Sequence, residues 1–413
     1  NNGHCRKFDA GTMCPSFRVT RDEQHGTRGR ANTLRLALSG QLGSDALASD
    51  TVREAMELCV SCKGCRRECP TGVDMAKMKI EFLHHHRQRH GLTLRDRLIG
   101  HLPRYASWAA RLPWLVNLRN RSPLVARLAE RVTGLAANRR LPEFRRDRFT
   151  STVAVTRAGG EVPAGGRRVV LFADTFDNSF EPENLSAAHR VLAAAGYDVT
   201  VLVGGDGRPL CCGRTYLGTG MVGEARAEAQ RTLDALLPHV RAGSTVVGLE
   251  PSCLLTLRDE FLVLRLGEGA QELAPASLLF EEFIAREAKA GRFRIDFRPL
   301  ARTALLHGHC HQKAFGAMPQ VEAALALVPE LKVQAVESSC CGMAGSFGYE
   351  AAHQEVSLAM AEASLLPAVR EAPADALIVA DGTSCRHQIA DGTRATGARE
   401  ALHVVRVLAQ ALA

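Results

Sequence analysis

Two textures of apolar patterning divide the chain. In the first part apolar positions recur at helical spacing. Ala31 to Leu38 reads as a helix ending near Gly40, and a second helix runs from a Ser49 or Asp50 cap through Val52, Ala55 and Met56 into Cys59. A third begins at Asp74 with Met75, Met78 and Phe82 on one face. The run His84 to His86, with His90, is expected on the far side of that helix. A solvated face is the simpler expectation there than a metal site, because consecutive helical residues splay about 100° apart. Pro103, Pro113, Pro123 and Pro142 cut the stretch from His101 to Phe149, which holds Trp108 and Trp114, into short helices. Ala158 to Gly166, with Gly159-Gly160 and Gly165-Gly166 around Pro163, reads as a linker.

Past the linker the apolar text comes in short aliphatic runs separated by Ala-rich helical segments. Val169 to Phe172, Val199 to Val203, Thr245 to Leu249, Ala304 to Leu306 and Leu377 to Ala380 read as buried strands of mostly parallel α/β layers. This region repeats itself. Cys211-Cys212-Gly213 and Cys340-Cys341-Gly342 are the same tripeptide, and each is followed at similar distance by a strand, a turn and a lone cysteine, Cys253 or Cys385. Val169 to Thr175 lines up with Thr303 to Cys310, which puts Thr175 where the other half has Cys310. A duplicated pair of lobes is the expectation, one with three motif cysteines and one with four.

The 413 residues suffice for two or three domains, and 46% apolar with 23% charged content is that of an ordinary globular protein. No run approaches the ~18 apolar residues of a membrane span. The opening Asn-Asn-Gly-His-Cys-Arg-Lys has neither an initiator Met nor a signal-peptide apolar region, so the chain reads as a piece of something longer. Thirteen cysteines, an odd count with two adjacent pairs, argue for reduced thiolates that bind metal in a cytoplasmic setting. From Arg87 to Arg148 fifteen Arg face four acids, Asp96, Glu130, Glu143 and Asp147. Such a surface suits an acidic protein partner or an anionic membrane face, and the bland alternative is amphipathic helices with Arg on their wet sides. Nothing resembling a nucleic-acid module accompanies the charge, and no G-x-G-x-x-G or P-loop marks a nucleotide site.

The chemistry concentrates in Cys59-Val-Ser-Cys62-Lys-Gly-Cys65-Arg-Arg-Glu-Cys69-Pro70, the bacterial ferredoxin ligand run C-x2-C-x2-C-x3-C-P. Its first three thiolates hold one cluster and its last reaches another, so the run implies two clusters. Cys14, which also precedes a proline, is the expected fourth ligand beside Cys59, Cys62 and Cys65. Cys69 crosses to a second site where this chain offers only Cys5. A zinc knuckle, which pairs separate C-x2-C units, fits this spacing poorly. In the second region, Gly after each Cys-Cys pair frees the backbone to turn both sulfurs toward one centre. With Cys253 or Cys385 from the strand-end loops and Cys310 from the opposite lobe, a thiolate cage is expected at the carboxyl ends of the strands, for iron–sulfur or zinc. Its candidate ligands are Cys211, Cys212, Cys253, Cys310, Cys340, Cys341 and Cys385. His307, His309 and His311 surround Cys310 as metal or proton ligands or as plain loop histidines, and none is singled out.

The reading is therefore an α+β multi-domain chain, an α-helical ferredoxin module followed by a duplicated α/β Cys-Cys-Gly domain. Its expected divisions are residues 1–100 for the [4Fe-4S] module and 101–166 for the basic helical segment and linker. Residues 167–413 form the repeat, with lobes at about 167–295 and 296–413.

These motifs, with Asn2-Gly3-His4-Cys5, Met13-Cys14-Pro15-Ser16, Arg28-Gly29-Arg30-Ala31-Asn32 and Cys340-Cys341-Gly342-Met343-Ala344-Gly345, resemble the C-terminal iron–sulfur half of FAD-linked 2-hydroxyacid dehydrogenases of the D-lactate and D-2-hydroxyglutarate type. The chain is also similar to the glycolate oxidase iron–sulfur subunit and to heterodisulfide-reductase-like Cys-Cys-Gly proteins. The resemblance implies an electron-transfer part of an oxidoreductase acting on CH-OH groups, with [4Fe-4S] clusters here and FAD on a partner or on a domain outside this chain. It implies a quinone or cytochrome as acceptor; the cysteine usage, not the resemblance, points to a cytoplasmic protein, and the charge of the basic segment alone suggests peripheral contact with the inner face of the cell membrane. Thr256 and Gln388 stand where the heterodisulfide-reductase pattern ends each lobe in C-x-x-C, which weakens a disulfide-reductase reading. The alternatives carried beside it are a thiol/disulfide reductase subunit and a zinc-stapled interaction protein.

Overall fold

Short polar residues ahead of the apolar-periodic text act as helix caps. In the computed structural model, which describes residues 3–8, 11–159 and 166–413, the Ser49 side chain accepts from the Val52 N–H to start the helix Asp50–Glu57. Asp74 likewise accepts from the Lys77 N–H to start Met75–His90. The helix expected over Ala31 to Leu38 begins earlier, at Thr27. On Met75–His90, Met75 and Phe82 are buried as expected while Met78 is exposed. His86, expected on a solvated face, is buried instead, its ring 5.4 Å from Phe82 and 4.4 Å from His90. The linker reading falls largely on residues 160–165, which lie outside the described residues, as does Asn2.

The second region is mixed α/β with two sheets whose paired strands all run parallel. Strands β1 (Thr156–Arg157), β2 (Arg168–Phe172), β3 (Asp198–Val203), β4 (Thr245–Gly248) and β5 (Ser277–Leu279) lie in the order β1-β3-β2-β4-β5. Strands β6 (Thr303–Leu306), β7 (Lys332–Ala335), β8 (Leu377–Val379) and β9 (Ala401–Leu402) follow the order β7-β6-β8-β9. Apart from edge strand β1, the two orders are the same. Each sheet's helix after its first long strand packs on the other sheet's helix after its last strand: Pro182–Ala194 meets Val404–Gln410, and Phe280–Lys289 meets Met318–Leu325. One core thus runs through both sheets, joining Val169, Leu171, Val247 and Phe283 to Leu306, Val321, Val379 and Leu408.

Between the first helices and these sheets, Pro sits in the first turn of Leu102–Ala109, Pro113–Val116 and Pro123–Thr133, as the chain pattern requires, whereas Pro142 starts no helix. Arginines here do not simply keep apolar residues from water. On Pro123–Thr133, Leu124, Leu128 and Val132 are 75%, 63% and 58% exposed alongside exposed Arg127 and Arg131, with exposed Trp108 and Trp114 in the same segment.

Both Cys-Cys pairs end on a glycine in the left-handed region, Gly213 at φ 79° and Gly342 at φ 84°. A Cβ on Gly342 would come 2.2 Å from the Ser357 carbonyl oxygen, and one on Gly213 would come 3.1 Å from that of Ala225. Gly213→Ala should therefore cost about 1–2 kcal/mol from backbone conformation. Gly342→Ala should cost at least roughly twice that, because rigid backbone must also move. Urea unfolding of the two variants measures the difference, and equal losses would refute the steric argument.

Candidate metal centres

Four of the expected ligands surround one space. Cys14, Cys59, Cys62 and Cys65 line a small cavity of about 20 Å³ together with Met13, Arg30, Lys63 and Met75. Cys14 caps the helix Pro15–Thr20, and Cys65 lies in the helix Gly64–Glu68. Ser61 and Lys63, at φ 50° and 59°, turn the loop so that Cys59, Cys62 and Cys65, three residues apart, all line the cavity. The Cys65 sulfur accepts the Met75 N–H at 3.4 Å, and the Arg30 guanidinium donates to the Cys14 sulfur at 3.5 Å and to the Ala55 carbonyl at 2.8 Å. Burial pushes the Cys65 thiol up to about 12. Burial acts the same way on Cys14, but Arg30 and the Ser16 hydroxyl override it and hold that thiol below its ordinary value. Four inward sulfurs beside one buried cation suit an anionic thiolate-bound cluster.

Cys5 and Cys69 lie outside that lining. The Cys5 sulfur is buried and accepts the Arg28 N–H at 3.4 Å, while half-buried Cys69 pairs with the Thr71 hydroxyl at 3.1 Å.

The second thiol group is confined to one lobe. Cys310 hydrogen-bonds Cys340, Cys340 bonds Cys341, and Cys341 bonds Cys385, all buried. His307, Cys341 and Cys385 bring their ligand atoms within 4.8 Å of one another. Cys310 thus joins the cysteines of its own lobe and not those of the opposite one, because β6 delivers it beside β8, whose following helix carries Cys385. The bond from Cys340 brings Cys310 down to about 7 against the pull of burial, with His309 and Lys313 assisting.

In the first lobe Cys211, Cys212 and Cys253 hydrogen-bond in sequence, and the Thr175 hydroxyl meets Cys211. Their charged neighbours are carboxylates, and Asp174 and Glu250 help to push Cys253 up. In the second lobe Cys310 and Cys341 are held below the ordinary thiol value while Cys340 and Cys385 are pushed above it, whereas all three first-lobe cysteines are pushed up.

The ferredoxin loop and the second-lobe thiols touch. Val60, Cys62, Cys310, Cys340, Phe347 and Met360 pack as one cluster. The Ser61 carbonyl lies 3.1 Å from His311 Nε2, and the Ser339 hydroxyl donates to the Thr12 carbonyl at 2.5 Å. Lys63 is buried between Asp259 and Glu260 of the first lobe. Sequence reasoning missed Arg30 and Lys63 as site residues. Both stood inside quoted motifs, and a basic residue set among ligand cysteines was the available signal.

Comparison with known proteins matches the same two groups. Residues 1–73 match the 4Fe-4S dicluster domain, and residues 304–390 match the Cysteine-rich domain. The chain is 27% identical over 442 residues to the D-2-hydroxyglutarate dehydrogenase of Escherichia coli (strain K12), covering 94% of this chain and 41% of that one. To one subunit of the same organism's anaerobic glycerol-3-phosphate dehydrogenase it is 26% identical over 325 residues, 78% of each chain. To its glycolate oxidase iron-sulfur subunit it is 23% identical over 433 residues, 99% of this chain and 93% of that one. The resemblance read from the cysteine runs is borne out, and the chain spans 41% of the length of the D-2-hydroxyglutarate dehydrogenases it matches.

Arg30 places positive charge beside the cavity, which favours the reduced, more negative state of a cluster there. Arg30→Gln should lower its midpoint potential by on the order of 60 mV, a tenfold shift for one electron. A redox titration followed by electron paramagnetic resonance reads this, and an unchanged potential would leave Arg30 a packing role alone.

Proposed function

We propose that the chain is the electron-transfer component of an FAD-dependent 2-hydroxyacid dehydrogenase of the D-lactate, glycolate or D-2-hydroxyglutarate class. It takes electrons from reduced flavin on a partner subunit or domain and passes them toward a quinone or cytochrome. The observation that carries this reading is the buried cavity lined by Cys14, Cys59, Cys62 and Cys65. A [4Fe-4S] cluster held by those sulfurs supplies one-electron oxidation and reduction. The chain's own residues exclude water, offset thiolate charge through Arg30, and donate the Met75 N–H to a ligand sulfur, the kind of bond that tunes potential. Cys69 and Cys5 serve the second site of the crossed ferredoxin pattern, and the second-lobe cysteines hold a further metal centre against Cys62. Residues 1–100 act as the ferredoxin module, 101–166 as the basic connector, and 167–413 as a duplicated pair of lobes, a division supported by the shared strand order. The relatives' names support hydroxyacid oxidation by the whole assembly.

Anaerobically purified chain should show a reducible paramagnetic centre that disappears in Cys59→Ser and Cys62→Ser. Reduced flavin of a hydroxyacid dehydrogenase partner should reduce that centre. Iron-loaded protein with no reducible centre would end this reading.

The exposed face of Trp108, Trp114, Leu124, Leu128 and Val132 favours one extension. Apolar side chains interleaved with unopposed arginines suit the headgroup boundary of an anionic bilayer, where a quinone acceptor resides. The chain should float with phosphatidylglycerol vesicles, not with phosphatidylcholine alone, and Leu124→Glu with Leu128→Glu should abolish this. If the double variant instead loses only its flavoprotein partner, the face is a protein interface.

A further inference from the structure

His307 follows β6, its ring buried against the second-lobe cysteines. Its two nitrogens have different surroundings. Nδ1 lies 2.8 Å from the Ser338 hydroxyl oxygen, which also accepts from Lys313 Nζ at 3.1 Å. Nε2 has no oxygen or nitrogen partner in a residue only 1% exposed, and the ring lies against the Cys341 sulfur. A ring held through Nδ1 presents the Nε2 lone pair outward, the usual arrangement of a metal-ligating histidine. His307, Cys341 and Cys385 meet with all three ligand atoms inside 4.8 Å. Among the described residues no three of the ferredoxin-cavity sulfurs meet that closely, so the second-lobe group has the spacing of ligands about one ion and not about a cube of iron and sulfide.

The first lobe supplies an internal comparison. Counting from the paired caps Asp174 and His309, Phe172 stands where the second lobe has His307, Thr175 where it has Cys310, and Asn178 where it has Lys313. Counting back from the two Cys-Cys pairs, Pro209 stands at Ser338. The lobe that lacks the leading cysteine also lacks the imidazole, the hydroxyl that holds it and the lysine behind that hydroxyl. Loss of the four together is what a shared ligand set produces, since an imidazole with no metal to bind would leave a buried polar atom unsatisfied.

We propose that the second-lobe cage holds a single divalent ion of the zinc type, ligated by His307 Nε2, Cys341, Cys385 and one further cage thiolate, Cys310 or Cys340. Three of these atoms, on His307, Cys341 and Cys385, already stand within 4.8 Å of one another; with Cys310 or Cys340 drawn in as the fourth, the donor set would be tetrahedral and closed, so this centre is structural and leaves electron transfer to the ferredoxin site. It staples the strand-end loops against which Val60 and Cys62 pack. The inference rests on the reading that these cysteines bind metal, and it stands apart from the redox function of the first seventy residues.

Metal analysis of the anaerobically purified full chain should find about one zinc per chain beside the iron. X-ray absorption at the zinc edge should give sulfurs near ~2.3 Å and one nitrogen near ~2.0 Å. His307→Ala should remove the nitrogen shell or the zinc, while the ferredoxin resonance signal keeps its intensity. Ser338→Ala, which frees the ring without deleting it, should weaken zinc retention by roughly 10–100-fold. Zinc absent with extra iron and sulfide lost in Cys341→Ser would overturn the proposal in favour of a cluster. An unchanged zinc spectrum in His307→Ala would overturn it in favour of an N–H to sulfur bond on Cys341. Loss of the resonance signal in the unsubstituted protein would instead sink the electron-transfer reading and leave the zinc result standing.

Discussion

A buried ammonium holds the redox loop in place. Lys63 sits between two ligand cysteines, with its side chain 1% exposed and its charge matched by Asp259 and by Glu260 at 2.6 Å. Lys77 and Arg214 complete the pairing of the two acids at 2.7 Å each. Burying such a group gains little over an apolar core, but removing one partner leaves an unmatched charge worth about 3–5 kcal/mol. The arrangement therefore acts as a positional lock. It fixes the left-handed turn at Ser61 and Lys63, and that turn decides whether Cys59, Cys62 and Cys65 face one cavity. The first lobe, poor in ligands, thus contributes acids that seat the ligand loop.

The charge around the cysteines differs between the two lobes. In the second, His309 and Lys313 stand beside the sulfurs, and Lys313 donates to the Ser338 and Ser339 carbonyls. In the first, Asp174 and Glu250 take the neighbouring places. Cys310 and Cys341 gain as thiolates in the former setting, and Cys253 loses in the latter. The strand ends of the first lobe also build the seam between the lobes. There Glu250 accepts the Thr383 N–H at 2.8 Å, and Glu181 pairs with Arg386.

Much of this was readable in the amino-acid text, for physical reasons. The buried parallel strands are continuous aliphatic runs, so β2, β3, β4, β6 and β8 stood out. β1, β5, β7 and β9 did not, because edge strands of two to four residues are too short to carry a periodic signal. Cys14 joined its cavity as expected because Cys-Pro forces a cap at that point. The partner of Cys310 was misjudged because adjacency in a sheet is set by strand order, which spacing along the chain does not encode. His86 escaped for a similar reason: a helix face is wet or dry according to what packs on it, and here Phe82 and His90 enclose the ring.

The seam also sets how the two lobes respond to protons. Burial would raise Glu181, yet Arg386 holds it at about 2, so its stabilisation is present above the ordinary carboxylate range and fades as pH falls toward that value. Asp174 behaves oppositely. Burial and then Glu250 lift it to about 6, so the folded chain keeps a proton that the unfolded chain releases, and the stability this confers is lost as pH rises through that value. The two windows hardly overlap, since Glu181 loses its contribution below the ordinary carboxylate range and Asp174 loses its own above it. Carboxyls of both kinds therefore do not offset one another; together they give the seam a two-sided pH dependence with its greatest stability near the ordinary carboxylate value, falling toward about 2 on one side and about 6 on the other.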